Sequence, residues 1–134
     1  MKKRTVLVVC TANSCRSQMA EGIIRYLYGD RVEVYSAGVL SSFVHPLAIE
    51  IMYDIDIDIS FHQSKSVEDL PLQGFDFIVT LSDFSRDHVS LNLLSGFRLH
   101  WPFDDPAFYD KEKFSEVRDL LFSAFKDKFS EYLR

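Results

Sequence analysis

The sequence predicts an α/β fold, a four-stranded parallel sheet flanked by helices. Three observations carry that prediction. Four short runs that read as strands, at 5–9, 32–37, 75–81 and 97–101, alternate with stretches of helical periodicity. Strands separated by helices join as parallel neighbours through right-handed crossovers. Within the first run, Val6 to Val9 are apolar and mostly β-branched, the composition of a strand buried on both faces. The chain's 134 residues, 47% hydrophobic and 14% aromatic, suit one domain with one core, spanning 1–134.

Each element has a local reason. Residues 17–28 read as the first helix, because Met19, Ile23, Tyr26 and Leu27 share a stripe; Gly29-Asp30 stops it. The second strand, 32–37, leads into a loop at 38–43. His45-Pro46 opens a second helix running to Tyr53, since proline suits a first turn. Residues 54–60 alternate acid and isoleucine, a pattern open to an amphipathic strand or an extended loop. Ser66 caps a short helical turn at 66–70. The third strand, 75–81, is followed by a loop and short helix at 82–90. After the fourth strand, Pro102 and Pro106 hold open a loop at 102–110. A long helix closes the chain at 111–133, with Phe114, Val117, Leu121, Phe125 and either Phe129 or Tyr132 on one face.

Composition narrows the function classes. A net charge of −5 argues against a general nucleic-acid surface. No apolar run reaches membrane-span length, and the start leads into a short strand rather than a signal core, so a cytoplasmic location is expected. Two cysteines in one loop are not a secreted disulfide framework. His45, His62, His88 and His100 lack metal-motif spacing, so no metal is expected.

The chemistry concentrates between Val6 and Glu21. A short loop joins a buried strand to a helix N-terminus, where inward backbone N–H groups and the helix dipole favour an anion. The same field favours the thiolate form of a cysteine at the loop's start, which makes Cys10 the candidate nucleophile. Thr11, Ala12, Asn13, Ser14 and Cys15 would form the oxyanion cradle. Asn13 tolerates the left-handed backbone that a tight cradle needs. Arg16 sits at a helix start, where the dipole disfavours it unless an anion is bound, and its planar fork matches a tetrahedral oxyanion. Ser17 can cap the helix, donate to the Cys10 sulfur, or do both. Cys15 packs beneath the loop or pairs reversibly with Cys10, shielding it from overoxidation.

Cys-x5-Arg-Ser after an N-terminal strand resembles the signature of the low-molecular-weight protein tyrosine phosphatase family. The longer run CTANSCRSQMAEG resembles that family's arsenate reductase branch more closely. The likeness continues through Tyr35 to Gly38, Asp56 to Ser60 and Trp101 to Ala107, and so covers nearly the whole chain. It implies the family's three-layer α/β sandwich, a phosphate-binding loop and a phosphate, arsenate or aryl phosphate ligand. It places the general acid at the Asp directly before Pro, hence Asp105 rather than Asp104. A bound phosphate favours the protonated carboxyl that such an acid needs. The family usually has Gly where this chain has Ala12, a departure that bears on the loop's shape if φ there is positive. Glu21, Ser36 and Asn13 match positions where some arsenate reductases hold potassium together with an Asp. The fourth position here is Lys65, whose ammonium would pair with Glu21 in place of the ion. His62 and His100 have no identified partner.

Two enzyme readings follow. Thioredoxin-coupled arsenate reductases carry two further cysteines near the end of the third strand. Ser82 stands at the first of those positions, and no Cys follows anywhere. Phosphate-monoester hydrolysis by Cys10, Arg16 and Asp105 needs no other cysteine and no cofactor; a phosphotyrosine protein is one such substrate. Phe84, Phe108 and Tyr109 are candidates to line an aromatic-accepting entrance. The alternative is arsenate reduction with an external thiol, glutathione or a thioredoxin-type redoxin. A non-catalytic phosphate-binding module is the third reading, and the joint presence of Cys10, Arg16 and Asp105 argues against it.

Overall fold

The computed structural model describes residues 2–70, 74–89 and 96–134. Among them, four strands form one parallel sheet: β1 (Arg4–Cys10), β2 (Val32–Gly38), β3 (Phe77–Thr80) and β4 (Phe97–His100), in the order β2-β1-β3-β4. The central β1 places Val6 opposite Val34 on one side and Phe77 on the other. Val6 to Val9 are wholly buried, and their alternation builds two layers of core. Val6 and Val8 face residues of α1 (Arg16–Tyr28), α2 (Pro46–Tyr53) and α4 (Lys111–Ser123). Leu7 and Val9 face Phe75, Ile78 and Val89 on the opposite side, beside α3 (Asp83–His88). This is the three-layer arrangement the sequence predicts. Among the described residues, no helix is long and apolar enough to cross a membrane.

Several local expectations are met for the stated reasons. His45 caps α2, with Nδ1 accepting from Leu47 N at 3.1 Å, and Pro46 follows in the first turn. Ser66 and Asp69 form a reciprocal capping box on the 3₁₀ turn Val67–Asp69. The 54–60 stretch is a turn and an extended loop, not a strand: Asp56 is left-handed (φ 63°), and Ile57 and Ile59 turn into the core.

Other expectations need correction. The third and fourth strands are shorter than predicted, and the end of the 82–90 segment lies outside the described residues. Tyr26 is 64% exposed, because the buried stripe of α1 is centred on Ala20, Ile23 and Ile24 and leaves Tyr26 at its edge against Phe122. The closing helix is not uniform. α4 ends at Ser123, a wide π-type turn spans Ala124–Lys128, and a 3₁₀ segment runs over Phe129–Leu133. The cause is visible in the spacing. Val117, Leu121, Phe125 and Phe129 recur every four residues, and an α-helix rotates about 40° at each such step. The wide turn offsets that drift and keeps all four buried, leaving Tyr132 partly exposed. Tyr28 Oη donates to the Phe125 carbonyl at 2.6 Å and helps satisfy this turn.

Candidate active site

The loop after β1 is held from outside by its carbonyls. Thr11 O accepts from Leu40 N, Ser14 O from His45 N, and Cys15 O from Met19 N. Ala12 O accepts from the hydroxyls of Ser42 and Ser64, and Asn13 O from Gln18 Nε2. The N–H groups of residues 11–15, by contrast, donate to no protein acceptor among the described residues. Pinned carbonyls and uncommitted amides make a cradle for an anion. Asn13 takes the left-handed conformation (φ 49°) and Ala12 does not, so alanine in place of glycine carries no strain there. Gly38 lets the loop approach the end of β2. A Cβ at that position would lie 2.6 Å from Asn13 N and 2.3 Å from Leu40 O.

Cys10 ends β1 with its side chain buried, and its sulfur lies 2.9 Å from Ser17 Oγ. The neighbours of Ser17 favour one direction for that contact. Lys65 N can only donate, so the Asn13 atom 2.9 Å away is Oδ1. Asn13 Nδ2 therefore donates to Ser17 Oγ at 2.7 Å and to Ser36 Oγ at 3.1 Å. Asn13 Nδ2 offers no acceptor, so the Ser17 hydroxyl proton is left to the Cys10 sulfur, the arrangement that stabilises a thiolate there. Ser17 thus turns inward and makes no cap; the N-cap of α1 is Cys15, without a side-chain bond.

Arg16 is 7% exposed. Nη1 is anchored on Phe103 O at 3.0 Å, while Nη2 makes long contacts with Thr11 Oγ1 (3.4 Å) and Asp105 Oδ2 (3.5 Å). Among the described residues its Nε is buried without a protein partner. The Nε–Nη2 edge, the fork that engages two oxygens of an oxyanion, is left largely uncommitted. Cys10, Arg16 and Asp105 all line one cleft of about 460 Å³. Asp105 Oδ1 accepts from Ala107 N at 3.0 Å, which steadies the carboxylate at the rim. Asp104 instead pairs with Lys113 in solvent at 2.9 Å.

Cys15 also lines the cleft, and both cysteines are free thiols. Burial pushes the Cys15 thiol up to about 12, against the lowering contact with Ser14. Thr11 Oγ1 donates to Ser82 Oγ at 3.2 Å, and Ser82 caps α3 by accepting from Ser85 N at 3.1 Å. Phe108 reaches the cleft as predicted. Phe84 and Tyr109 are not among the residues that line it: Phe84 stacks on His88 with ring centres 3.9 Å apart, and Tyr109 stands beside Lys113. Phe43, Ser42 and His45 take part in the lining instead. Nothing local in the sequence marks them, because the Leu40 and His45 amides draw that loop onto the cradle.

Behind the cradle, Ser36 Oγ donates to Glu21 Oε1 at 2.5 Å. Lys65 Nζ reaches only to 4.0 Å from that oxygen and donates to Gln63 O at 3.1 Å. The close partners of Glu21 are Arg25 at 2.6 Å and His62 at 3.3 Å. His62, for which the sequence identifies no partner, has its side chain buried among Glu21, Arg25 and Gln18. His100, likewise, lies 2.7 Å from Thr80 Oγ1 and 2.8 Å from Asp83 Oδ1. With three basic side chains around its one carboxylate, the Glu21–Ser36–Asn13 group does not fit a potassium ion.

Comparison with known proteins agrees with this geometry. The model of the low molecular weight phosphotyrosine protein phosphatase family matches residues 5–133. Arsenate reductase 2 of Staphylococcus saprophyticus is 43% identical over 121 residues, covering 90% of this chain and 92% of that protein. An arsenate reductase solved in the phosphate binding state is 31% identical, with a TM-score of 0.79 over 96% of this chain and 98% of that one. The tyrosine phosphatase AmsI of Erwinia amylovora shares the fold at a TM-score of 0.81 and 18% identity, over 97% of this chain and 93% of its own. The chain belongs to the low molecular weight phosphotyrosine protein phosphatase family.

Proposed function

We propose that this protein hydrolyses phosphate monoesters, aryl phosphates such as phosphotyrosine among them, through a phosphocysteine intermediate. The Cys10 thiolate attacks phosphorus in line with the leaving oxygen, so a P–S bond forms as the ester P–O bond breaks. The amides of residues 11–15 and the Nε–Nη2 edge of Arg16 hold the equatorial oxygens. Asp105 protonates the departing oxygen, then takes a proton from the water that attacks phosphorus and releases Cys10. Phe43 and Phe108, both more than half exposed beside the cleft, offer an apolar rim to an aryl group. The observation that carries this reading is Asp105 in the same cleft as Cys10 and Arg16, in a chain with only two cysteines.

Arsenate reduction is the second reading, favoured by the 43% identity to a staphylococcal arsenate reductase. Cys10 would form an arsenate adduct. A second thiol would then attack the Cys10 sulfur, giving a disulfide and arsenite. Burial pushes the Cys15 thiol up to about 12, which makes Cys15 a poor attacking group near neutral pH. This favours an external thiol, glutathione or a thioredoxin-type protein, as the partner.

One preparation separates the readings. Hydrolysis of para-nitrophenyl phosphate is measured beside arsenate reduction with thioredoxin, with glutathione plus glutaredoxin, and with no thiol. Thiol-independent hydrolysis that disappears in Cys10→Ser supports the phosphatase. Robust reduction with negligible hydrolysis reverses the order.

A further inference from the structure

We propose that Gln18 is a positioning residue for the Cys10 nucleophile, acting through Asn13 and Ser17; this rests on the nucleophile reading above. Gln18 is wholly buried in the first turn of α1. Its carboxamide has one possible orientation. Nε2 faces three oxygens, Asn13 Oδ1 at 2.8 Å, Gln63 O at 3.0 Å and Asn13 O at 3.1 Å. Oε1 faces His62 Nδ1 at 2.9 Å. That nitrogen carries the proton, because a carboxamide oxygen can only accept.

The donors therefore run in one direction, from His62 to Gln18, Asn13, Ser17 and finally the Cys10 sulfur. Within this chain Gln18 has a particular place. It grips Asn13 by its backbone carbonyl and its side-chain oxygen together, and Asn13 is the left-handed residue on which the cradle turns. Holding both halves sets the carboxamide that aims the Ser17 proton at sulfur. Lys65 N provides a second donor to the same Asn13 oxygen, so loss of Gln18 weakens the aim without abolishing it.

The test reads the reactivity of Cys10 rather than turnover. Alkylation by iodoacetamide is followed against pH and located by mass spectrometry, with inorganic phosphate as protectant and a melting curve for each protein. Gln18→Leu removes the donor at similar volume. Gln18→Glu puts an acceptor where the donor stood, and decides alone if Gln18→Leu does not fold. In both variants the half-point of alkylation moves up by about 0.5–1 pH unit, about a three- to tenfold slower reaction at a fixed pH on the acid side, while phosphate still protects. An unchanged profile with only a lower melting temperature overturns the proposal and leaves Gln18 as a tie to the Gln63 segment. Unreactive Cys10 in the unaltered protein, or no protection by phosphate, would instead refute the nucleophile reading itself.

Discussion

The Ser17 hydroxyl stands 2.9 Å from the Cys10 sulfur, and the Asn13 carboxamide, 2.7 Å from Ser17, leaves it only one direction in which to donate. A hydrogen bond to a charged acceptor contributes about 1.5–3 kcal/mol. Ser17→Ala should therefore lower kcat by about ten- to a hundredfold, with the affinity for inorganic phosphate little changed. Steady-state kinetics with phosphate as competitive inhibitor checks the split. A loss confined to KM would mean that Ser17 serves ligand binding instead.

Asp105 and Asp104 are neighbours with different surroundings, one held at the cleft by Ala107 N and Arg16, the other paired with Lys113 in solvent. Asp105→Asn should reduce kcat/KM for phenyl phosphate by about 10²–10³. The loss should be much smaller for para-nitrophenyl phosphate, whose leaving group needs no proton. Asp104→Asn should leave both nearly unchanged. Equal effects of the two substitutions would remove Asp105 from the acid role.

Acid should weaken the fold through the cluster behind the cradle. Burial pushes the Glu21 carboxyl up, but the Ser36 hydroxyl, His62 and Arg25 outweigh it and hold it below its ordinary value of 4.5. Burial pushes His62 down from 6.5, and Arg25 and Lys65 add to this against the pull of Glu21. Both groups bind more protons unfolded than folded. Stability is therefore lost as pH falls from 6.5 through the folded value of His62, and again from 4.5 through that of Glu21. Melting temperatures measured across this range should fall on acidification, and His62→Leu should flatten the upper part. A constant melting temperature between about pH 7 and 5 would contradict the assignment.

Gly38 is a test of close approach. Its missing Cβ would meet two backbone atoms, Leu40 O at 2.3 Å and Asn13 N at 2.6 Å, and backbone cannot swing aside as a side chain can. Gly38→Ala should cost about 1–3 kcal/mol or more in chemical denaturation. Activity should fall with it, because the cradle must move. Wild-type stability in this variant would show that the loop does not rest on β2.

What the sequence made legible was local. The β-branched run Val6 to Val9 reads as a buried strand because burial on both faces demands apolar residues at every position. Cys10, Asn13 and Arg16 read as a cradle because a helix N-terminus, a left-handed Asn and a fork of donors lie within seven residues. What escaped was assembled across the chain. His62 closes on Glu21 from 41 residues away, a distance that leaves no periodic signature, whereas Arg25 stands at the i, i+4 spacing of a helical ion pair. Phe84 and Phe43 are equally plausible rim residues by composition, and only the packing of His88 against one ring and the Leu40 amide bond beside the other separates them. The wide turn at Ala124–Lys128 was hidden for a different reason. Four-residue apolar spacing looks like a helix stripe until it is sustained long enough to outrun the helix.

In the proposed reaction Cys10 carries the phosphoryl group between its two steps. Asp105→Asn, which slows release, is mixed with para-nitrophenyl phosphate, quenched in acid, digested and read by mass spectrometry. A phosphoryl group should be found on the peptide that contains Cys10, and none in the Asp105→Asn, Cys10→Ser double variant. Hydrolysis that persists in Cys10→Ser, with no phosphoryl group ever found on that peptide, would contradict it.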